Sequence, residues 1–262
     1  MSEALAITRI LVALDTSARS LAALDTAAAL ASALSAELTG LFVEDINLLR
    51  LAELPFAREV GHASAANRPL EFSEVERALR GQAARIERAM AEAAGRLQLQ
   101  WSFRVARGQV VPQILEVAEE VDLVVFGKEG RAAGPATHPG RPAIPAAGPV
   151  LVLFDGSAAA GQALAMAARL AQANGRPLNV LVPAETTEEF QQLRGIASET
   201  LRAGPSQVRY LALAGTDVAH LARTARREKC SAFVLASASL PPGQEEIGAL
   251  LFAIGCPVVL VR

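Results

Sequence analysis

The chain has 262 residues and a formal net charge of −2, with 52% hydrophobic, 20% charged and 4% aromatic residues. This composition excludes a disordered chain, because it supplies enough apolar side chains for a core. The balanced charge and the scarcity of aromatic rings argue against a nucleic-acid-binding protein, which needs a basic surface or stacking platforms. The length predicts one large domain or two small ones.

Signals for targeting are few. The opening sequence MSEALAITRI has an early acid and leads directly into a strand-like run, so we expect no signal peptide. No stretch approaches the ~18 consecutive apolar residues of a membrane helix. Cys230 and Cys256 are too few for a disulfide framework and lack zinc-ligand spacing. We therefore predict a soluble, cytoplasmic protein with reduced thiols and no membrane contact.

The first half of the chain alternates between strands and helices. Four short apolar runs rich in branched residues predict strands, at 9–14, 38–43, 101–106 and 121–127. Three segments with helical spacing predict helices between them, at 17–34, 73–97 and 111–120. Ser17 is the predicted N-cap of the first helix, and Ser73 with Glu76 has the spacing of a capping box.

A repeat divides the chain. Residues 10–43 align without a gap on 150–183, and the match includes an Asp and a Ser at equivalent positions in both segments. A second block, 107–127, resembles 214–237 as a glycine-led turn, an amphipathic helix and a buried strand. The sequence therefore predicts two copies of one unit that join near residue 148.

The second copy repeats the pattern at shorter length. Its predicted strands are 149–154, 178–182, 208–213, 232–236 and 257–261. Its middle helix is predicted near 187–202, with Thr186 and Glu189 spaced as a capping box, and its final helix at about 244–254. The copies differ most between their second and third strands, where the first copy has the longer segment 44–100.

The first copy is followed by a segment that cannot form a helix. It contains five prolines: Pro135, Pro139, Pro142, Pro145 and Pro149. We predict a first domain at 1–130 with an insertion at 44–100, a Pro-rich linker at 131–147 and a second domain at 148–262. The first copy then lacks its own last helix and fifth strand.

Alternating strands and helices predict a doubly wound α/β fold, with a parallel sheet covered on both faces. Ligands of such sheets bind beyond the carboxyl ends of the strands, where the strand order reverses. Asp15 follows the first predicted strand and Gly127 ends the fourth. If these strands are neighbours, the two residues face one crevice.

Several motifs together resemble a tandem member of the universal stress protein family. They are the openings ILVALDTS and VLVLFDGS, the VDLVVFG block and the ending GCPVVLVR. The resemblance covers most of both copies, except 44–100 and 131–147. It implies five-stranded parallel sheets of order 3-2-1-4-5, paired domains, and a family divided between members that bind ATP and members that do not.

ATP-binding members carry G-x-x-G, nine residues and then G-[S/T], which brings backbone N–H groups to the phosphates. Gly127, Gly130 and Gly140 have this spacing, but Arg141 stands where Ser or Thr is expected. The resemblance implies a nucleotide pocket formed by Ala13, Asp15, Val43, Gly127, Lys128, Gly130 and Gly140. Three basic residues could supply charge: Lys128, Arg131 and Arg141. The alternative is an inherited turn followed by a solvated linker.

The second copy lacks the first glycine pair, and Glu245 and Glu246 fall in the first turn of its last helix, where they would repel phosphate. We predict no ATP binding there. Asp15 and Asp155 have two interpretations, as ligand-contacting residues or as capping acids of the following helix. The resemblance favours the pocket for Asp15, and we interpret Asp155 as a relic.

No catalytic or metal site is predicted. His62, His138 and His220 are dispersed without metal-ligand spacing, and no Ser-His-Asp order is present. Cys230 and Cys256 would lie near one sheet edge if the last two strands are adjacent, and we expect buried, inert thiols rather than a redox pair. The apolar helical face of 46–56 has two open interpretations, a lid on its own sheet, or a partner surface or cap over the Asp15 crevice.

These observations predict a non-catalytic stress-response protein that acts by binding a protein or a small ligand. Its two domains would form an intramolecular pseudo-dimer, with a homodimer left open. Its nucleotide-binding loops would be degenerate, and no cofactor is certain, ATP in the first domain being the one considered. The alternative is a nucleotide-binding regulatory protein that uses the first pocket. An ATP-hydrolysing enzyme finds no carboxylate cluster or general base in the sequence.

Overall fold

The computed structural model describes residues 7–15, 17–60, 67–127, 148–202, 204–241 and 243–262. We call the described residues up to 127 the first half and those from 148 the second half. Elements of the first half are β1 (Arg9–Leu14), α1 (Ala18–Leu34), β2 (Glu37–Asp45), α2 (Ile46–Ala52), β3 (Arg58–Val60), β4 (Asn67–Pro69), α3 (Phe72–Arg96), β5 (Trp101–Gly108), α4 (Val110–Ala118) and β6 (Leu123–Phe126).

The second half repeats this alternation without the α2 to β4 insertion. Its elements are β7 (Val150–Leu153), α5 (Ala158–Ala173), β8 (Leu178–Pro183), α6 (Thr187–Thr200), β9 (Val208–Leu213), α7 (Val218–Arg227), β10 (Ala232–Ala236), a 3₁₀ turn (Ser237–Ser239), α8 (Gln244–Ala253) and β11 (Val258–Val261). Within the described ranges, no helix has the length and apolar character needed to cross a membrane.

One nine-stranded sheet runs through both halves in the order β5-β2-β1-β6-β11-β10-β7-β8-β9. Every neighbouring pair is parallel except β6 and β11, which pair antiparallel from Phe126–Val258 to Leu123–Val261. The doubly wound α/β fold and the predicted strand order are confirmed. β11 of the second half takes the place beside β6 that a fifth strand of the first half would fill. The predicted linker lies outside the described residues.

We call the β6–β11 junction the seam, and the core is continuous across it. Residues on alternate positions of the strands enter one of two clusters, one on each face of the sheet. Each cluster contains strand residues of both halves. Helices also meet across the seam, with α1 against α5 on one face and α4 against α8 on the other. Because both faces are covered, the central strands are continuous apolar runs, whereas the edge strands β5 and β9 are largely half-buried or exposed.

The repeated serines begin equivalent helices. Ser17 Oγ accepts a hydrogen bond from the Ser20 N–H at 3.2 Å, and Ser157 Oγ accepts one from the Ala160 N–H at 3.1 Å. Each serine has extended backbone angles, as an N-cap requires. The predicted cap at Ser17 is therefore confirmed, and the repeat reproduces it 140 residues later.

The predicted capping box at Ser73 is wrong. Helix α3 begins one residue earlier, at Phe72, and its N-cap Glu71 makes no side-chain capping bond. Glu76 instead accepts a hydrogen bond from the Arg80 guanidinium at 2.8 Å. The Glu76 carboxylate, which the spacing assigned to the capping box, thus forms an i,i+4 ion pair with Arg80 on the helix surface.

The insertion packs mainly on its own half of the molecule. Helix α2 contacts α3 and the edge strand β5, and it buries Leu49 and Ala52 there. Leu51, Leu54 and Phe56 remain exposed, Phe56 to 75%. The contacts of α2 agree with the interpretation of 46–56 as a segment packed on its own sheet.

Cys230 and Cys256 are joined by a disulfide, with their Cα atoms 6.3 Å apart. The prediction of reduced, inert thiols is therefore wrong. The physical reason is the sheet topology, since β10 and β11 are adjacent parallel strands and each cysteine lies two residues before its strand. The amino ends of adjacent parallel strands share one edge, which brings the two side chains together.

Asp122 ties the start of β6 to the start of β1. Its Oδ2 accepts hydrogen bonds from the Thr8 N–H at 2.8 Å, the Arg9 N–H at 3.0 Å and the Thr8 hydroxyl at 3.2 Å. Its partial burial works to raise the pKa of the carboxyl, but these hydrogen bonds outweigh burial and leave the pKa below its ordinary value of 3.8. The ionised form is therefore stabilised by folding.

We expect Asp122→Asn to reduce the acid sensitivity of the protein. Because the pKa is lower in the folded than in the unfolded chain, the carboxylate contributes full stability above its ordinary pKa, and the contribution is lost as pH falls through the folded value. Urea unfolding at pH 7 and below pH 4 measures this difference. Asp25→Asn is the matched control, since Asp25 makes an exposed ion pair with the Arg96 guanidinium, at 3.6 Å on the surface. Equal acid dependence of wild type and Asp122→Asn would contradict the assignment.

Candidate functional site

The strand order reverses at β1, which lies between β2 and β6. Ala13, near the end of β1, pairs with Leu41 on one side and with Phe126 on the other. Asp15 and Gly127 each follow their strand closely, so they lie at the same carboxyl edge. β1 and β6 are therefore neighbours, as a crevice between Asp15 and Gly127 requires, and they lie at the position where open α/β sheets bind ligands.

The floor of this crevice is narrow and is lined by apolar residues. Helix α4 lies over the strand ends, and the cavity between them has a volume of about 10 Å³. Its walls are Ala13, Leu14, Leu41, Val43, Val110, Ile114 and Phe126. A space of this size holds at most about one water molecule. Any larger ligand at this edge therefore lies above the floor and not within it.

Asp15 is engaged in the turn that starts α1. Its Oδ1 accepts a hydrogen bond from the Ser17 N–H at 2.8 Å, and its own N–H donates to the buried Ser20 hydroxyl at 2.7 Å. Asp155 makes the equivalent bond with the Ser157 N–H at 2.9 Å. The repeated aspartate thus makes the same local bond in both halves, where it accepts the N–H of the serine that is the N-cap of the following helix.

The sequence did not predict the buried carboxylate that lies next to Val43. Glu44, at the end of β2, is only 6% exposed and accepts hydrogen bonds from the Arg107 Nε at 2.9 Å and a terminal nitrogen at 2.8 Å. Arg107 also reaches Glu76 of α3 at 3.3 Å. The hydrogen bonds to Glu44, then those to Glu76, raise the pKa of the Arg107 guanidinium. The cluster fastens α3 to the strand ends beside the crevice.

Comparison with known proteins identifies the family. The model of the universal stress protein family matches residues 6–136, which is half of the chain. This chain belongs to the universal stress protein family. No curated protein matches the sequence.

Solved structures of universal stress proteins share the fold. A universal stress protein from Archaeoglobus fulgidus DSM 4304 aligns with a TM-score of 0.56 at 14% identity, over 97% of this chain and 98% of its own. A structure from Pseudomonas aeruginosa UCBPP-PA14, assigned to the same family, aligns with a TM-score of 0.50 at 12% identity, over 97% and 93%. At these identities the likeness concerns the fold alone.

The structure brings together part of the pocket that the family resemblance implied. Ala13 and Val43 line the floor, Asp15 lies at its edge, and Gly127 is buried at the end of β6. The other predicted residues lie outside the described part of the chain: Lys128, Gly130, Arg131, Gly140 and Arg141. His62 and His138 also lie outside it.

The equivalent edge of the second half is acidic. β10 is followed by the 3₁₀ turn and then by α8, whose N-cap is Gly243. Glu245 and Glu246 lie in the first turn of α8 and are exposed. Carboxylates at this end satisfy the positive pole of the helix and oppose a second anion.

His220, the described histidine, belongs to a helix cap. Asp217 is the N-cap of α7, and its side chain accepts hydrogen bonds from the backbone N–H of His220, at 3.0 Å, and from the ring Nδ1. First the backbone bond and then the ring bond lower the pKa of the Asp217 carboxyl. Within the described residues, no group of three or more His, Cys, Asp or Glu side chains could hold a metal ion.

Proposed function

We propose that this universal stress protein is non-catalytic and acts by binding a protein or a small ligand, with nucleotide-binding loops that are degenerate. The narrow floor of the Asp15 crevice is the observation that supports this function. A cavity of about 10 Å³ walled by apolar side chains offers no room for a base or a ribose. The hydrogen bond that Asp15 Oδ1 accepts from the Ser17 N–H agrees with a structural role.

We also propose the organisation in which this function resides. The first copy is residues 1–130 with its insertion at 44–100, the Pro-rich linker is 131–147, and the second copy is 148–262. The antiparallel β6–β11 pair and the continuous core support an intramolecular pseudo-dimer of the two copies. We propose a cytoplasmic location, on the basis of the composition.

A second candidate is a nucleotide-binding regulatory protein that uses the first copy. The observation that favours it is the meeting of Asp15 and Gly127 where the strand order reverses. In this alternative the nucleotide would lie above the floor, with Asp15 toward the ribose or base and Gly127, Lys128, Gly130 and Gly140 around the phosphates.

Isothermal titration with ATP and magnesium distinguishes the two candidates. We expect no saturable heat at ATP concentrations up to about 1 mM, which corresponds to a binding free energy weaker than about −4 kcal/mol. A clear 1:1 heat would overturn the proposal and establish the nucleotide-binding alternative.

The repeat offers a matched pair of variants for this titration. Asp15→Asn and Asp155→Asn each retain an oxygen that can accept the N–H of the serine two residues later, so both should keep the turn. If ATP binds through Asp15, only Asp15→Asn weakens binding. If the proposal is correct, both variants give the same absence of heat as wild type.

Hydrolysis is tested separately. We expect phosphate release from ATP at the level of a Gly127→Val variant, whose side chain would fill the buried end of β6. Sustained release above that level would contradict a non-catalytic protein.

A further inference from the structure

The disulfide lies where β10, β11 and the start of the second half meet. Cys230 and Cys256 are each 3% exposed, and they belong to the cluster that also contains Leu221 and Ile254. The bond closes a 26-residue separation that contains β10 and α8. It therefore fixes the amino end of β11 to the amino end of β10.

β11 is the strand that joins the two halves. It pairs in parallel with β10 on one side and antiparallel with β6 on the other. Because of the antiparallel direction, the amino end of β11 lies beside the carboxyl end of β6. Cys256 is two residues before Val258, which pairs with Phe126. The disulfide thus lies next to the Gly127 end of the candidate site.

Cys230 also lies next to the first described residues of the second half. The Ser231 N–H donates to the Pro149 carbonyl at 2.9 Å, and its hydroxyl donates to the same oxygen at 3.2 Å. Gly148 approaches the Lys229–Cys230 backbone so closely that a Cβ there would lie 3.2 Å from the Cys230 carbonyl carbon. Cys230 therefore lies beside the start of the second half, and Cys256 lies two residues before the strand that forms the seam.

Both oxidation states are compatible with this environment. The two side chains lie among apolar residues, where a free cysteine packs as a small hydrophobic group. The strands on either side are held by their own backbone pairing. In a reducing compartment the disulfides that do form are usually transient, with catalytic or redox-sensing roles, rather than permanent cross-links.

We propose that Cys230 and Cys256 form a reversible oxidation site, whose disulfide fixes β11, the strand that pairs with the first half at the seam, to β10. The oxidant is a low-molecular-weight disulfide. The inference rests on the proposed cytoplasmic location, but not on whether the protein binds a nucleotide.

The reaction is a thiol–disulfide exchange in two steps. When this edge of the sheet opens locally, one cysteine thiolate attacks a sulfur of the small disulfide, forms a mixed disulfide and releases one small thiolate. The second cysteine thiolate attacks the protein sulfur of the mixed disulfide, forms the Cys230–Cys256 bond and releases the second small thiolate. Two electrons pass from the protein to the reagent, and the protons of the two cysteines pass to the released thiolates.

Equilibration of the full chain with mixtures of reduced and oxidised glutathione tests the chemistry. Thiol trapping followed by mass spectrometry should find two free thiols in reducing mixtures and one intramolecular disulfide in oxidising ones. A pair that stays bonded or stays reduced across all mixtures would overturn the proposal. So would a stable mixed disulfide with glutathione on a single cysteine.

Hydrogen exchange on the same samples tests the effect on the seam. On reduction, we expect the backbone amides of β6 and β11 to exchange about tenfold faster, while those of β8 stay as protected as before. The double variant Cys230→Ala, Cys256→Ala should exchange like reduced wild type in either mixture. Equal protection of β6 in both redox states of wild type would refute the link to the seam, and that comparison needs no variant. Neither measurement involves ATP, so failure here is separate from failure of the proposed function.

Discussion

Gly148→Ala is expected to destabilise the protein by about 3 kcal/mol, near the upper end for overpacking of a close contact. A Cβ at this position would overlap the Lys229 carbonyl oxygen and lie 2.9 Å from its carbonyl carbon. These are backbone atoms, so no side-chain rotation relieves the overlap. Lys229 itself has a φ of 51°, which leaves its carbonyl little freedom to turn away. Urea unfolding at fixed redox state measures the loss.

Gly195→Ala is the matched control for Gly148→Ala. Gly195 lies within α6, and a Cβ there would have no atom within 4 Å. The same chemical change should therefore stabilise the protein by about 0.5–1 kcal/mol, through the higher helix propensity of alanine. If Gly148→Ala unfolds at the same urea concentration as wild type, the close approach of Gly148 to Lys229 is wrong.

The central strands could be predicted because burial on both faces produces a continuous run of apolar residues in the sequence. The runs 9–14 and 232–236, which are almost entirely buried, have in the structure the bounds that the sequence predicts. A strand covered on both sides needs apolar residues at every position, which no surface segment imitates at that length. The alternation of such runs with helices then leaves few topologies.

The seam could not be predicted by the same argument. β6 and β11 have the sequences LVVF and VVLV, and nothing in either run specifies which strand lies beside it or in which direction. Their pairing depends on how the two halves fit together. The sequence indicated that the first copy lacks a fifth strand, but the strand that replaces it is visible only in the sheet order.

The candidate site was likewise predictable only in part. The nearness of Asp15 and Gly127 follows from strand order alone, so the sequence predicted it. The Glu44–Arg107 pair depends on the register of β2 against β5, in which these two residues are opposite each other, and local spacing contains no such information. For Cys230 and Cys256, composition suggested the wrong state, although the predicted strand positions already placed both near one edge.

Separating the halves should have the largest effect of all. We expect a fragment of residues 1–127 to aggregate, because β6 would lose β11 and become an unpaired apolar edge. Its residues Leu123–Phe126 are buried in the whole chain. The faces of α1 and α4 that contact α5 and α8 would be exposed as well. Solubility and circular dichroism of the expressed fragment measure this outcome.

The fragment 148–262 is the control, since it keeps the complete order β9-β8-β7-β10-β11 and the disulfide. The edge that the cut newly exposes is β11, which pairs antiparallel with β6 in the whole chain. It can pair in the same way with β11 of a second copy about a two-fold axis. We therefore expect a folded dimer by light scattering. Co-expression with 1–127 should restore that fragment to the soluble fraction, because β6 competes for the same edge. A monomeric, folded 1–127 fragment would show instead that the first half is stable without the seam, and that β11 is a contact surface rather than a structural part of both halves.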